Sequence, residues 1–200
     1  MRETKERILL AALELFARDG YEAVSVSDIA DRLGITKGAL YRHYKSKRDI
    51  FDSILARMEQ RDAELARDSQ VPEGTKEEME EAYGAVSPEQ IADFSKTMLR
   101  YWAEDEFASR FRRMLILEQF RDPEMNRLCQ QYLVSGPLGY LTDLFSSLGV
   151  PEPQKAAAEF YGPMFLLWSV CDGTDELAQV IALGDALIDT AAARLEKGKE

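Results

Sequence analysis

The stretch SVSDIADRLGITKGALYRHYKSK, residues 25–47, carries two short helical patterns that a single glycine separates. Ser25 with Asp28 three residues later is a capping-box pattern, which predicts the start of a helix, and Gly34 predicts its end. Thr36 is then an N-cap residue for the next helix. Two short helices joined by a tight glycine turn are typical of a helix-turn-helix, which presents its second helix to the major groove of DNA.

The helix that Thr36 begins, predicted to run to about Tyr44, has two unlike faces. At about 100° per residue, the packing side holds Ala39, Leu40, His43 and Tyr44. The opposite side holds Lys37, Gly38, Tyr41 and Arg42. Lys37 can reach a guanine edge or a phosphate, and Gly38 leaves room for a close approach of the backbone. Tyr41 can offer its hydroxyl to a phosphate or its ring to a thymine methyl group.

Further phosphate contacts are predicted at the ends of the flanking helices. Ser46 with Asp49 predicts the start of a fourth helix, so Lys47 and the capped backbone N–H groups lie where a phosphate can bind. Ser25 and Ser27, at the start of the earlier helix, can hold a phosphate in the same way.

The charge of the chain is unevenly distributed. The formal net charge is -11, yet residues 1–48 hold 10 Lys and Arg against 7 Asp and Glu, while the remainder hold 15 against 29. Six of the basic residues fall between Arg32 and Arg48, a run that contains no acid. A basic run alone is more often a solvated face. In register with two capped helices and a glycine turn, it favours a nucleic-acid contact.

Helical periodicity recurs almost from end to end, and no segment is a convincing strand, so the chain is predicted to be all-α. The first helix is predicted from about Thr4 to Asp19, with an apolar stripe of Ile8, Ala12, Leu15 and Phe16. Pro72 and Gly74 interrupt a polar segment and predict a domain boundary near residue 70. Later helices are predicted at 76–84, 88–104, 106–120, 123–148, 152–171 and 174–196. Gly136–Pro137 and Gly162–Pro163 are predicted to kink or split two of these helices.

The segment from about Ile8 to Met58 resembles the DNA-binding domain of TetR-family transcriptional regulators. The marks are IA before LG, the GITKGALY turn and helix, the aromatic cluster YRHY, and KSK followed by an acid and an apolar pair. They cover about a quarter of the chain. The resemblance implies that Tyr44 packs the domain together. It implies DNA contacts from Ser25, Ser27, Thr36, Lys37, Gly38, Tyr41, His43 and Lys47.

The resemblance also implies the organisation of the whole chain. Residues 1–50 would form a three-helix helix-turn-helix domain, a fourth helix at about 47–68 would connect it, and residues 70–200 would form a larger helical ligand-binding and dimerisation domain. The expected partners are a palindromic double-stranded DNA operator, a second copy of the chain and a small-molecule effector. The expected direction of control is repression, relieved by the effector.

Aromatic and methionine side chains are frequent between Ile91 and Trp168, and as a set they favour a largely apolar or aromatic pocket, although each alone is more often core. The predicted ligand-binding residues are Met98, Tyr101, Trp102, Phe111, Met114, Tyr132, Tyr140, Phe160, Met164 and Trp168. Glu118 and Gln119 could orient a polar ligand group, or could be solvated or capping residues. The last two predicted helices carry small residues and wide apolar faces, which suit packing between subunits or within one.

Other classes of function have less support. No Gly-rich phosphate loop and no metal-ligand spacing is present, so we expect neither an enzyme nor a metal or other cofactor. No apolar run is long enough to span a membrane, and we expect a cytoplasmic protein. Cys129 and Cys171 are expected to be packed free thiols. The alternative that stays open is a helical interaction module whose basic patch docks an acidic protein.

Overall fold

The computed structural model describes residues 2–68 and 82–197, and within these ranges every regular element is a helix. The predicted all-α class is confirmed. The predicted helix at 76–84 lies mostly outside the described residues. The helices are α1 (Arg2–Asp19), α2 (Val26–Leu33), α3 (Lys37–Tyr41), α4 (Lys47–Asp68), α5 (Pro88–Glu104), α6 (Glu106–Glu118), α7 (Pro123–Leu133), α8 (Ser135–Ser147), α9 (Pro153–Cys171) and α10 (Leu177–Lys197).

The described residues pack as two compact units. The first unit contains residues 2–68 and 106–129, and the second contains residues 82–105 and 130–197. Residues 106–129 were predicted as part of the domain at 70–200. In the structure, α6 and the start of α7 pack with the N-terminal helices, and the domain boundary near residue 70 stays a prediction.

Helix α1 is the centre of the first unit because it is apolar on more than one side. The predicted stripe is buried, but so are Leu9 and Leu13, which lie outside it. Helix α1 packs against α2 and α4 and also against α6. Gly20 follows α1 with a φ of +92°, and a Cβ there would overlap the Glu118 Oε1 atom at the end of α6. A side chain at this position would therefore separate α1 from α6.

In the second unit, α10 lies against α5 and α9, and α9 also packs on α8. Gly184 permits the close approach of α10 to α5, since a Cβ there would overlap the Leu99 side chain. Two ion pairs join the same helices: Arg100 Nη2 lies 2.5 Å from Asp185 Oδ2, and Lys96 Nζ lies 2.5 Å from Asp189 Oδ1.

The two predicted helix interruptions have different outcomes. The predicted helix 123–148 is split into α7 and α8 just before Gly136–Pro137, where a Cβ on Gly136 would overlap the Gln131 carbonyl oxygen. This prediction of a break is confirmed. Helix α9, in contrast, continues through Pro163 and is not split there.

Candidate nucleic-acid interface

The turn between α2 and α3 is built by caps at both ends of α2. The Ser25 N–H donates to Asp28 Oδ2 at 2.7 Å, and the Asp28 N–H donates to Ser25 Oγ at 3.2 Å, which forms the predicted capping box. At the other end, Gly34 has a φ of +65° and the Ile35 N–H donates to the Ala30 carbonyl at 3.0 Å. This left-handed cap reverses the chain within three residues and delivers it to α3.

Helix α3 has the two faces that the sequence predicted, although it ends at Tyr41 rather than near Tyr44. Thr36 Oγ1 accepts the Ala39 N–H at 3.1 Å, which caps the helix. Leu40 and Tyr44 are buried, and the Tyr44 hydroxyl donates to the Lys5 carbonyl at 3.2 Å. Burial raises the pKa of Tyr44 to about 12, so this hydroxyl stays protonated and anchors the domain.

The opposite face of α3 is open to solvent. We call it the reading face, and it consists of Lys37, Gly38, Tyr41 and Arg42, all of them exposed. The Lys37 ammonium lies 6.0 Å from the centre of the Tyr41 ring, and Tyr41 is 45% exposed. A cationic and aromatic surface at the start of a short capped helix can contact phosphates and base edges together.

Gly38 is not required by the fold. Its φ lies outside the left-handed region, and the nearest atom to a Cβ built there is Thr36 Oγ1, at 4.0 Å. Ordinary helical residues would fit this position within the chain. The absence of a side chain therefore suits a surface that another molecule approaches closely.

The basic run divides into paired and unpaired cations. Arg32 pairs with Glu14 at 2.9 Å, and Arg48 pairs with Asp52 and Glu124. Of the other four cations, Lys47 donates to backbone carbonyls. The remaining three, Lys37, Arg42 and Lys45, form no ion pair with a carboxylate of the described residues.

Lys47 has a different environment from the one the sequence suggested. Its ammonium donates to the carbonyls of Tyr21, at 2.8 Å, and Glu22, at 3.3 Å, and lies 4.3 Å from the centre of the Tyr21 ring. Two of its three N–H groups are thereby used within the protein. Lys47 holds the turn that precedes α2 against the first turn of α4, and one N–H group is left for a phosphate.

The other predicted contact residues lie around the reading face. Ser25 and Thr36 each accept a backbone N–H of the helix they cap, and each hydroxyl keeps its own proton for donation. Ser27 and His43 are half-buried on either side of the α2–α3 turn. The structure thus brings Ser25, Ser27, Thr36 and His43 into the same small helical domain as α3.

Comparison with known proteins identifies this domain. The family model for bacterial regulatory proteins of the tetR family matches residues 8–54, which include most of α1, all of α2 and α3, and the start of α4. Residues 8–54 therefore form a DNA-binding domain of the TetR family. The relatives include the transcriptional regulator AcrR of Shigella flexneri, which is 43% identical over 53 residues, 26% of this chain and 25% of that protein. The matched segment therefore spans only about a quarter of AcrR.

Longer matches of this chain extend beyond the N-terminal domain. The transcriptional regulator SrpR of Pseudomonas putida is 27% identical over 149 residues, 74% of this chain and 70% of that protein. The crystal structure of FadR from Bacillus subtilis in complex with stearoyl-CoA has the same fold, with a TM-score of 0.61 and 20% identity. That match covers 94% of this chain and 97% of FadR. All three are named as transcriptional regulators.

The predicted ligand-binding residues do not form one group. In the second unit, Trp102 is the centre of an aromatic cluster: its ring lies 6.1 Å from that of Trp168, 6.5 Å from Tyr132 and 5.4 Å from Tyr101. We call these four residues the Trp102 cluster. Tyr161 was not among the predicted residues; its ring lies 6.0 Å from that of Trp168, and its hydroxyl donates to the Leu133 carbonyl at 2.8 Å.

The other predicted ligand residues lie elsewhere. Tyr140 packs on Tyr83, while Phe160 and Met164 are buried on α9 and Met98 is half-buried on α5. Phe111 and Met114 belong to α6 in the first unit and are fully buried there. In the second unit, a cleft of about 180 Å³ is bordered by residues that include one of the predicted set, Phe160.

Buried polar groups near these residues are mostly satisfied. The Trp168 indole N–H donates to the Leu99 carbonyl at 3.2 Å. Glu118 and Asp185 are exceptions: both carboxylate oxygens of the fully buried Glu118, and the Oδ1 atom of Asp185, accept no hydrogen bond from the described residues. Arg121 Nη1 lies 3.6 Å from Glu118 Oε1. Among those residues, no group of His, Cys, Asp and Glu is arranged to hold a metal ion, and no helix is long and apolar enough to cross a membrane.

Proposed function

We propose that this chain is a ligand-responsive transcriptional regulator that binds a palindromic DNA operator as a homodimer. The observation that carries the proposal is the reading face, which combines an exposed lysine, glycine, tyrosine and arginine on a capped helix of a TetR-family domain. We further propose that the chain is a repressor and that a small, largely apolar or aromatic effector releases it from DNA. Both points rest on its similarity to the family.

The proposed DNA contacts fall into two groups. Lys37, Gly38 and Tyr41 face outward and would meet base edges and the adjacent backbone in the major groove. The contacts proposed on the flanks, chiefly with phosphates, are Ser25, Ser27, Thr36, His43 and Lys47. Phosphate contacts set the orientation of the domain on the duplex, while the reading face supplies selectivity.

A homodimer is supported by the solvent-exposed faces of α9 and α10. Large apolar side chains are exposed on both helices: Phe165, Leu166, Val170, Leu183 and Leu187, with Leu166 at 63% and Leu183 at 53% exposed. Exposed Gly162 and Ala186 lie on the same helices, and a Cβ at Gly162 would meet nothing within 4 Å. Small residues beside leucines allow two copies of a helix to approach closely. A second copy of this chain is the occupant that the two-fold symmetry of a palindromic operator requires.

The effector proposal rests on the aromatic content of the second unit. The Trp102 cluster is apolar with a few hydroxyl and indole groups, the composition usual in small-molecule sites. FadR of Bacillus subtilis, which shares the fold, was crystallised with stearoyl-CoA, a ligand with a long apolar chain. We propose the same broad class here, an effector whose main part is apolar.

The test is a selection of bound duplexes from a random double-stranded DNA pool, read by sequencing. Wild type is compared with a Lys37→Ala/Tyr41→Ala double variant and with Lys155→Ala, which removes one exposed cation from α9. We expect wild type and Lys155→Ala to enrich the same two-fold palindrome and the double variant to enrich none. A folded wild type that enriches no palindrome would contradict the proposal and favour an interaction module that docks an acidic protein.

A further inference from the structure

The first turn of α4 is tied to the start of α7 by an ion pair between residues 76 positions apart. Arg48 Nη1 lies 2.5 Å from Glu124 Oε2, and Arg48 Nη2 lies 2.8 Å from Glu124 Oε1. Arg48 Nε donates to Asp52 Oδ1 at 2.6 Å. All three guanidinium nitrogens of this member of the basic run are therefore used within the protein. The Arg48 hydrogen bonds lower the pKa of Glu124, which keeps its carboxylate charged.

The two hydrogen bonds between Arg48 and Glu124 restrict the orientation of the first turn of α4 relative to α7. A bidentate pair of a guanidinium and a carboxylate restricts both distance and angle, unlike the single point charge of a lysine. The Arg48 guanidinium also lies 5.3 Å from the centre of the Phe51 ring, which limits its own movement. Together these contacts hold the start of α4 in one position relative to α7.

The start of α4 in turn determines where the reading face lies. Only residues 42–46 connect α3 to α4, and Lys47 next to Arg48 is bonded to the carbonyls of the turn that leads into α2. The first turn of α4 is thus held on one side by the α1–α2 turn and on the other by α7. A change in its orientation would move α2 and α3 together.

Two further contacts hold α6 to the N-terminal helices of the same unit. The Arg57 guanidinium lies 4.7 Å from the centre of the Phe107 ring at the start of α6. At the end of α6, Glu118 lies so close to Gly20 that no side chain fits between them. These contacts are local to α1 and the body of α4, whereas the Arg48 pair acts next to the reading face.

We infer that Glu124, acting through Arg48, is a positioning residue for operator binding: it holds the first turn of α4 so that the reading face meets the major groove. The inference rests on the proposed DNA-binding function and names a residue that does not itself touch DNA. The opposite possibility is that Glu124 withholds Arg48 from DNA. The two predict changes of opposite sign when Glu124 loses its charge.

The experiment uses the full chain and the palindrome recovered by the duplex selection, with a random duplex of equal length as the non-specific competitor. Glu124→Gln keeps the shape of the side chain and removes its charge. Arg48→Lys keeps the positive charge and removes the guanidinium group that makes two hydrogen bonds to Glu124. Glu106→Gln is the matched control, since Glu106 pairs with Arg110 within a single helix.

We expect Glu124→Gln and Arg48→Lys each to weaken operator binding about tenfold while affinity for the random duplex changes less than twofold. The double variant should bind no more weakly than either single variant, because both remove the same contact. Glu106→Gln should match wild type. Thermal melting of each variant distinguishes a folded chain with a misplaced reading face from an unfolded chain. If Glu124→Gln does not fold, the operator affinity of Arg48→Lys tests the inference.

Three results would overturn the inference: operator affinity unchanged in both variants, additive losses in the double variant, or tighter binding by Glu124→Gln with a steeper dependence on salt. The last would mean that Arg48, once freed, contacts a phosphate. A wild type that selects no operator would instead reject the DNA-binding proposal itself.

Discussion

Replacing Gly38 with alanine should strengthen the fold and weaken DNA binding, two effects of opposite sign. The new methyl group would stand on the reading face, where the nearest atom of the chain is Thr36 Oγ1 at 4.0 Å. Because glycine inside a helix is less favourable than alanine, we expect the free energy of unfolding to rise by about 0.5 to 1 kcal/mol.

The loss of DNA affinity follows from the same geometry. A methyl group between α3 and the groove would hold the helix back and cost one or two of the hydrogen bonds made by its neighbours, Lys37 and Tyr41. At about 0.5 to 1.5 kcal/mol for each bond, the loss is about 1 to 3 kcal/mol per half-site. This corresponds to a roughly 5- to 150-fold higher dissociation constant for each half-site.

Gly139→Ala is the matched control for this experiment. Gly139 is an exposed glycine within α8, and a Cβ there would also meet nothing within 4 Å. We expect it to raise stability by a similar amount and to leave DNA binding unchanged. Urea denaturation gives the stability, and fluorescence anisotropy with a labelled operator gives the affinity. A Gly38→Ala chain that binds the operator as tightly as wild type would refute the assignment of this face to DNA.

Three other variants test separate parts of the structure. Lys47→Met should lower the free energy of unfolding in urea by about 1 to 2 kcal/mol, because two backbone carbonyls lose a charged donor; wild-type stability would show that the ammonium serves DNA alone. Leu166→Glu/Leu183→Glu should convert the dimer to a monomer in light scattering, and an unchanged mass would place the interface elsewhere. Burial raises the pKa of Asp62 from 3.8 to about 7; Arg61 lowers it by a smaller amount, and Glu59 adds a smaller increase. The folded state therefore retains this proton as the pH rises from 3.8 to 7, and it loses stability over that range. Asp62→Asn should raise the unfolding free energy at pH 8 by about 1 to 2 kcal/mol, after allowance for partial exposure. At pH 3 it should leave the unfolding free energy unchanged, because the carboxyl is protonated in both states. An equal gain at both pH values would contradict the titration argument.

The parts of the fold that were predictable from the sequence depend on signals only a few residues apart. The capping box at Ser25 and the left-handed Gly34 are local, and they predicted the boundaries of α2 closely. The break before Pro137 was also predictable, since proline cannot donate a backbone hydrogen bond. Pro163 shows the limit of that rule, because packing of the surrounding apolar side chains keeps α9 continuous.

The parts that were not predictable depend on partners far away in the sequence. Nothing near Lys47 indicates that its ammonium binds carbonyls 25 and 26 residues earlier. The membership of α6 in the first unit left one trace, the apolar residues Leu9 and Leu13 outside the predicted stripe of α1. A helix that is apolar on two sides must be covered on two sides, and that observation alone could have suggested a further helix against α1.

Aromatic periodicity has a related limit in the second unit. The predicted ligand set contains Trp102 and Trp168, whose rings lie 6.1 Å apart. Periodicity has no means of separating a core from a pocket, because both place aromatic side chains on one helical face. Phe111 and Met114 fit the same pattern and lie in the other unit. The hydrogen bond from the Trp168 indole to Leu99 indicates a fixed ring, so an effector would have to contact the cluster without displacing that ring.

The distribution of the basic run explains how an acidic chain can be suited to DNA. Counted from the sequence, six cations lie between Arg32 and Arg48, but Arg32 and Arg48 are neutralised by carboxylates and Lys47 is directed to carbonyls. The unpaired cations that remain are concentrated on and just after α3. The paired members of the run hold the helices in place, while the unpaired members give the local field that a phosphate backbone would meet. Selectivity then depends less on the total charge than on how rigidly the paired residues hold the few unpaired ones.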